Sequence, residues 1–133
     1  MKIIVDTSVW SLAFRRGDKR LHPCVDELSG LIHDHRVQMI GPIRQEILSG
    51  IRSKSQFYNL RRHLESFPDF PILTDDYVEA AGYFNLCRSK GVQGSNTDFL
   101  ICAVSVRSEM PIYTTDKDFV SFAEHIPLRL YKA

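Results

Sequence analysis

Short runs of β-branched and aliphatic residues alternate along the chain with longer stretches in which apolar residues return every three or four positions. The first pattern is that of a buried strand, the second that of an amphipathic helix. Lys2 to Val5 is the first such run, brief and stopped by Asp6-Thr7-Ser8, and it predicts a strand. Helical spacing follows from Ser8 to about Phe14 and from Pro23 to about His33, where Val25, Leu28, Leu31 and Ile32 form the stripe behind an entry proline. Val37 to Ile40 predicts a second strand ending at Gly41-Pro42. Pro42 opens a helix whose buried stripe is Ile43, Ile47, Leu48 and Ile51, with Gly50 weakening it near its end. Gln56 to Phe67 is a basic amphipathic helix, and Phe70 to Leu73, with Pro68 and Pro71 about it, fits a short edge strand.

Thr74-Asp75-Asp76 caps a further helix, with Tyr77, Val78, Ala81 and Phe84 as its periodic residues and Gly91 as its stop. Gly94-Ser95-Asn96 caps another, from Thr97 to about Ser108, apolar on nearly every side and therefore central. Ile112 to Thr114 predicts a strand, Phe119 to Glu124 a short helix, and Leu128 to Tyr131 a last strand. Short apolar strands alternating with helices imply parallel pairing through right-handed crossovers. The expected class is α/β, three-layer α/β/α, with a central parallel sheet of four to five short strands in a Rossmann-like arrangement. In such sheets the working crevice lies outside the carboxyl ends of the strands.

Composition narrows this without changing it. The 133 residues, 44% hydrophobic and 25% charged, suit one domain spanning 1–133. Apolar runs such as Phe99 to Val104 are far shorter than the roughly 20 residues a membrane span needs. The start reaches Asp6 too soon for a secretory signal, so a cytoplasmic protein is expected. Cys24, Cys87 and Cys102 are odd in number and widely spaced, which excludes a disulfide framework or a zinc ribbon; Cys87 and Cys102 read as core. His33 and His35 point different ways on a helix and read as a solvated helix end, not a metal pair.

The chemistry lies in the carboxylates. Asp6 and Asp116 each follow a strand and are flanked by hydroxyls, so both reach the same sheet edge. Asp98 lies in the first turn of the central apolar helix, and Glu46 lies in the helix after the second strand. Each has an ordinary explanation: Asp98 complements a helix dipole, and Glu46 is a common surface helix residue. Asp6 resists one, because an idle charge at the end of a buried strand is costly. Two unit charges 4 Å apart repel by about 4 kcal/mol at an effective dielectric of 20, so a gathered set needs a counter-charge. Hard divalent cations with oxygen ligands supply it, and Mg²⁺ (or Mn²⁺) also takes phosphate oxygens. Ser8 and Thr114 would orient carboxylates or water, although a plain turn or strand-end hydrogen bond explains them about as well.

The net charge of +1 is uninformative as a sum, but with four acids set aside for a metal the 17 cations outnumber the acids that remain. That balance suits a polyanion. Arg15, Arg16, Lys19, Arg20 and Arg44 are candidate phosphate contacts near the acids, and Arg52, Lys54, Arg61 and Arg62 could extend the track, though for any one of them a solvated face is the more common role. Trp10 could stack on a base, but its apolar helix favours packing.

The ordered set Val5-Asp6-Thr7-Ser8, Arg44-Gln45-Glu46-Ile47, Thr97-Asp98-Phe99-Leu100-Ile101-Cys102-Ala103 and Thr114-Thr115-Asp116-Lys117-Asp118-Phe119 resembles the PIN domain of VapC-type toxins, over almost the entire chain. The resemblance implies a PIN-like fold. It also implies that Asp6, Glu46, Asp98 and Asp116 are catalytic and bind Mg²⁺ or Mn²⁺, with Asp118, Ser8 and Thr114 supporting. It implies an endoribonuclease that pairs as a homodimer and is silenced by a cognate antitoxin whose tail covers the acids. Cys102 stands where the family often has alanine, a small change that leaves the chemistry untouched. The alternative is a catalytically silent PIN scaffold that binds RNA or a protein partner. A haloacid-dehalogenase phosphatase would need a second Asp where Ser8 stands, and no phosphate-binding glycine loop follows the first strand.

Overall fold

The computed structural model describes residues 1–14 and 22–133. Arg15, Arg16, Lys19 and Arg20, expected as RNA contacts, lie outside the described residues.

Among the described residues three short strands form the sheet: β1 (Ile3–Val5), β2 (Val37–Gln38) and β3 (Ile112–Tyr113), in the order β2-β1-β3. All pairings are parallel, with Ile3 opposite Val37 and Val5 opposite Tyr113. Successive strand residues point to opposite faces, so the complete burial of Ile3, Ile4 and Val5 means that both faces are covered. The α/β class follows the expectation. The strand count does not: Phe70 to Leu73 and Leu128 to Tyr131 are not strands. An isolated parallel bridge stands just before the first, Met39 with Asp69, and one lies within the second, Ile112 with Leu130. One backbone bond, Phe70 N–H to Met39 C=O at 2.9 Å, holds the first; Tyr131 N–H to Ile112 C=O at 2.8 Å and Ile112 N–H to Arg129 C=O at 3.0 Å hold the second. Pro68, Pro71 and Pro127 each remove an amide donor beside these segments, which stops a ladder from growing.

The helices are α1 (Thr7–Phe14), α2 (Pro23–His33), α3 (Gly41–Leu48), α4 (Lys54–Leu64), α5 (Thr74–Ser89), α6 (Asn96–Ser108) and α7 (Asp118–Ala123). Helix α6 is the buried one, as its composition predicts: Phe99 and Ile101 to Ser105 are all buried. Gly91, at φ +76°, follows the end of α5 in the left-handed region where glycine is favoured. Helix α3 stops at Leu48, before Gly50 at φ +84°, so Ile51 is not part of its stripe.

The apolar stripe of α5 differs from the expected one. Tyr77 and Val78 are 57% and 66% exposed, and the buried residues are Asp76, Ala80, Tyr83 and Cys87. The reason is Asp76. Its carboxylate, 2% exposed, accepts from Arg107 Nε at 2.7 Å and Nη2 at 2.9 Å, and from the Leu73 amide at 2.8 Å. Arg107, on α6, also donates to the Pro71 carbonyl at 2.7 Å and lies over the Phe70 ring. This fork ties the start of α5 to the end of α6 and rotates α5 so that an acid faces inward. The Arg107 guanidinium holds the Asp76 carboxyl below the usual carboxylate range.

Phe84, Phe99, Phe122 and Phe119 form a chain of ring contacts with centroids 4.8 to 5.6 Å apart. Gly94, in the loop before α6, backs onto it: a Cβ there would lie 2.5 Å from the Phe122 ring and 3.0 Å from Phe99. Gly94→Ala is therefore expected to cost about 1–3 kcal/mol through overpacking, read as a lower denaturant midpoint at unchanged slope. A midpoint equal to wild type would show that the rings move aside freely.

Candidate active site

Because β1 and β3 are parallel neighbours ending at Val5 and Tyr113, the residues that follow them emerge side by side. The Asp6 amide donates to the Tyr113 carbonyl at 2.8 Å, continuing the ladder past the last strand residue. The Asp6 carbonyl then accepts from Val9 N–H at 3.0 Å, opening α1. Asp6 is thereby fixed at a strand-to-helix corner and is only 6% exposed.

Hydroxyls meet its carboxylate. Ser8 Oγ and Thr114 Oγ1 both donate to Asp6 Oδ2 at 2.8 Å. Each hydroxyl oxygen in turn accepts a backbone amide, Thr115 N–H on Ser8 at 3.1 Å and Asp116 N–H on Thr114 at 3.0 Å. Those amides fix the direction of both hydroxyl protons toward Oδ2. Asp6 Oδ1 accepts no hydrogen bond among the described residues, and no buried side-chain oxygen lacks a partner, so Oδ1 reaches solvent.

The other acids share this arrangement of one oxygen held and one open. Glu46 Oε1, on α3, accepts from Thr7 Oγ1 at 2.9 Å. Asp98 Oδ2 accepts from the Ser95 amide at 3.0 Å while Ser95 Oγ accepts from the Asp98 amide at 3.0 Å, a capping box at the start of α6. Asp116 Oδ1 accepts from the Asp118 amide at 2.9 Å. Asp118 thus contributes its backbone to the site, and its side chain is exposed.

The four carboxylates sense one another. Although much of Glu46 faces water, partial desolvation of its carboxyl group raises its pKa, and the charges of Asp6 and Asp98 raise it further, against the opposing Thr7 bond. Desolvation likewise raises Asp98, with Asp116 and Asp6 adding to it and the Ser95 bonds opposing. The structure therefore brings Asp6, Glu46, Asp98 and Asp116 into one electrostatic neighbourhood from four separate elements. Among the described residues no group of three or more His, Cys, Asp and Glu side chains is placed to hold a metal ion as it stands.

Other sequence candidates fall elsewhere. Arg44, one of the candidate phosphate contacts, is bonded into the fold. Its Nε and Nη2 donate to Asp69 Oδ1 at 3.1 and 2.9 Å, and its Nη1 to the Leu64 carbonyl at 3.0 Å. Nη2 also donates to the Phe67 carbonyl. These bonds brace the turn that leads from α4 back to the sheet edge. Trp10 packs, being 3% exposed, with its Nε1 donating to the Val5 carbonyl at 3.1 Å and its ring against Phe67. Cys87 and Cys102 are fully buried, and burial raises both thiols, so neither is a nucleophile. His33 and His35 are exposed at the end of α2. Thr7 is the site residue that sequence reasoning passed over; its only signal was its place between Asp6 and Ser8.

Comparison with known proteins gives one answer. The PIN domain family model matches residues 3–125. Ribonuclease VapC11 of Mycobacterium tuberculosis is 31% identical over 123 residues, 88% of either chain. The crystal structure of VapBC2 from Rickettsia felis, bound to a DNA fragment of its promoter, superposes with a TM-score of 0.76 at 17% identity, covering 98% of each chain. VapBC-5 from Mycobacterium tuberculosis, a member of the VapBC family of toxin-antitoxin systems, superposes at 0.69 and 17% identity, covering 99% of this chain and 98% of that one. At these identities the two structures speak for the fold alone. The family match over nearly the full length, the relative above 30% identity and the acidic edge of the parallel sheet agree that this chain belongs to the PIN domain family.

Proposed function

We propose that the chain is a divalent-metal-dependent endoribonuclease and the toxin of a VapBC-type pair. The observation that carries this reading is the shared geometry of Asp6, Glu46, Asp98 and Asp116: each is anchored through one carboxylate oxygen and open at the other. Mutual repulsion and partial desolvation make the cluster costly when bare, and a hard cation offsets that cost at neutral pH.

Asp6, Glu46, Asp98 and Asp116 are the residues that would hold Mg²⁺ or Mn²⁺. The fit lies in the donor chemistry, since carboxylate oxygens are what a hard divalent ion takes, a few at a time with water and phosphate oxygens completing its shell, although three of them do not yet form a metal-holding group in the structure. When bound, the cation supplies positive charge against the phosphoryl transition state and lowers the pKa of water. Ser8 and Thr114 hold Asp6 through Oδ2 and leave its Oδ1 unbonded, and the Ser95 box does the same for Asp98. RNA is the substrate class carried by the ribonuclease relative, and an antitoxin partner is supported by the VapBC structures. A homodimer is proposed from the family likeness. The free cysteines fit a reducing cytoplasm, and no helix among the described residues is long and apolar enough to cross a membrane.

The test is cleavage of a mixed RNA pool by the purified chain with Mg²⁺ and with EDTA, paired with melting curves under both conditions. Product is expected with Mg²⁺ alone. Saturating metal is expected to raise the melting temperature by several degrees, because an ion at 100 times its Kd stabilises by about 2.7 kcal/mol if it binds only the folded state. Equal cleavage with EDTA would reject the metal requirement. RNA binding without product in either condition would favour the silent scaffold.

A further inference from the structure

We infer that Thr7 is a positioning residue whose hydroxyl pins Glu46 in the orientation that a divalent cation requires. This rests on the metal-nuclease reading above and adds to it a residue and a role.

The four acids are not held alike. Asp98 is fastened by the cap of its own helix, Asp116 by the Asp118 amide two residues on, and Asp6 by two hydroxyls and its place at the end of β1. Glu46 differs in two ways: its side chain has one more rotatable bond than Asp, and the residue is exposed. The like charges of Asp6 and Asp98 also lie near enough to act on it. Among the described residues one hydrogen bond holds its carboxylate, from Thr7 Oγ1, 39 positions away in sequence, to Glu46 Oε1 at 2.9 Å.

Thr7 is built to hold. It is the first residue of α1, whose start is fixed by Val9 and Trp10 amides on the Asp6 carbonyl at 3.0 and 3.3 Å, with both side chains buried beneath it. Threonine is branched at Cβ and has few χ1 states. Its hydroxyl caps no backbone amide among the described residues, so the bond to Glu46 is the use the structure shows for it. Thr7 occupies Oε1, and Oε2 accepts no hydrogen bond among the described residues, so it is the oxygen left for a cation.

The experiment is Mn²⁺ binding to the full chain by titration calorimetry. Thr7→Val keeps the shape and removes the donor, and its Mn²⁺ affinity is expected to fall about tenfold, the lower end of the loss seen when an outer-sphere partner of a metal ligand is removed. Thr7→Ser should restore most of it, and metal-free melting should stay close to wild type in both. Thr7→Ala serves if valine disturbs the packing of α1. In a Glu46→Gln background Thr7→Val should add little further loss, because the two act as one unit. Wild-type Mn²⁺ affinity in Thr7→Val, or an equal loss with and without Glu46, would overturn the role of Thr7 while leaving the metal site standing. If the wild-type chain itself bound no Mn²⁺, the metal-nuclease reading would fail, and the role of Thr7 with it.

Discussion

Asp6→Asn is expected to lower RNA cleavage by at least about 100-fold, since loss of even an outer-sphere partner of a metal ligand reaches that size. The same substitution should leave the metal-free fold as stable as wild type or slightly more so. Asn keeps the volume of Asp and still offers an oxygen to the Ser8 and Thr114 hydroxyls that now converge on Oδ2. It also removes one of the charges that raise the pKa values of Glu46 and Asp98. Activity and stability should thus move in opposite directions, as they do where a site carries strain for its chemistry. Cleavage of a labelled RNA and metal-free denaturation, run on the same preparation, read both. A variant that kept half of its activity would remove Asp6 from the reaction. One that lost activity and several kcal/mol together would show that Asp6 is chiefly structural.

The largest stability effect is expected at the other end of the helices. Arg107→Met should destabilise the fold by about 3 kcal/mol, the lower end of the range for stranding one partner of a buried ion pair. The lower end applies because the Arg107 side chain is 32% exposed while that of Asp76 is 3% exposed. The substitution leaves Asp76 inside with the Leu73 amide as its remaining donor. The effect has a pH signature. Arg107 holds the Asp76 carboxyl below its ordinary value, so its contribution is fully present above the unfolded carboxyl pKa of about 3.9 and is lost as pH falls through the lower folded value. Wild type and Arg107→Met should therefore differ most near neutrality and converge in strong acid. Urea unfolding at pH 7 and pH 3 measures this, and a difference independent of pH would assign the loss to packing over Phe70 instead.

What could be read from the sequence divides along physical lines. Elements stopped by their own local chemistry were legible: Pro23–His33 has the expected bounds, and the Ser95 cap and the Gly91 stop work through neighbours a few residues away. The acidic edge was legible for a topological reason. An Asp placed directly after each of two parallel strands must arrive at the same side of the sheet. The α5 stripe was not legible, because the inward turn of Asp76 depends on Arg107, 31 positions later, and a charged residue carries no sign that its partner will take it inside. The outer strands failed for a related reason. Their composition favours extended chain, but ladder growth depends on which amides are present, and the prolines remove them. Arg44 looked like a phosphate contact beside Glu46, yet its donors are taken up by the turn at Leu64 to Asp69, a geometry that no local pattern announces.

The hydroxyl of Thr114 meets the carboxylate of Asp6 across 108 positions of sequence. This bond fastens the segment that leaves β1 to the segment that leaves β3, so a cut in the intervening backbone that let the two part would release Asp6 from one of its two hydroxyl donors.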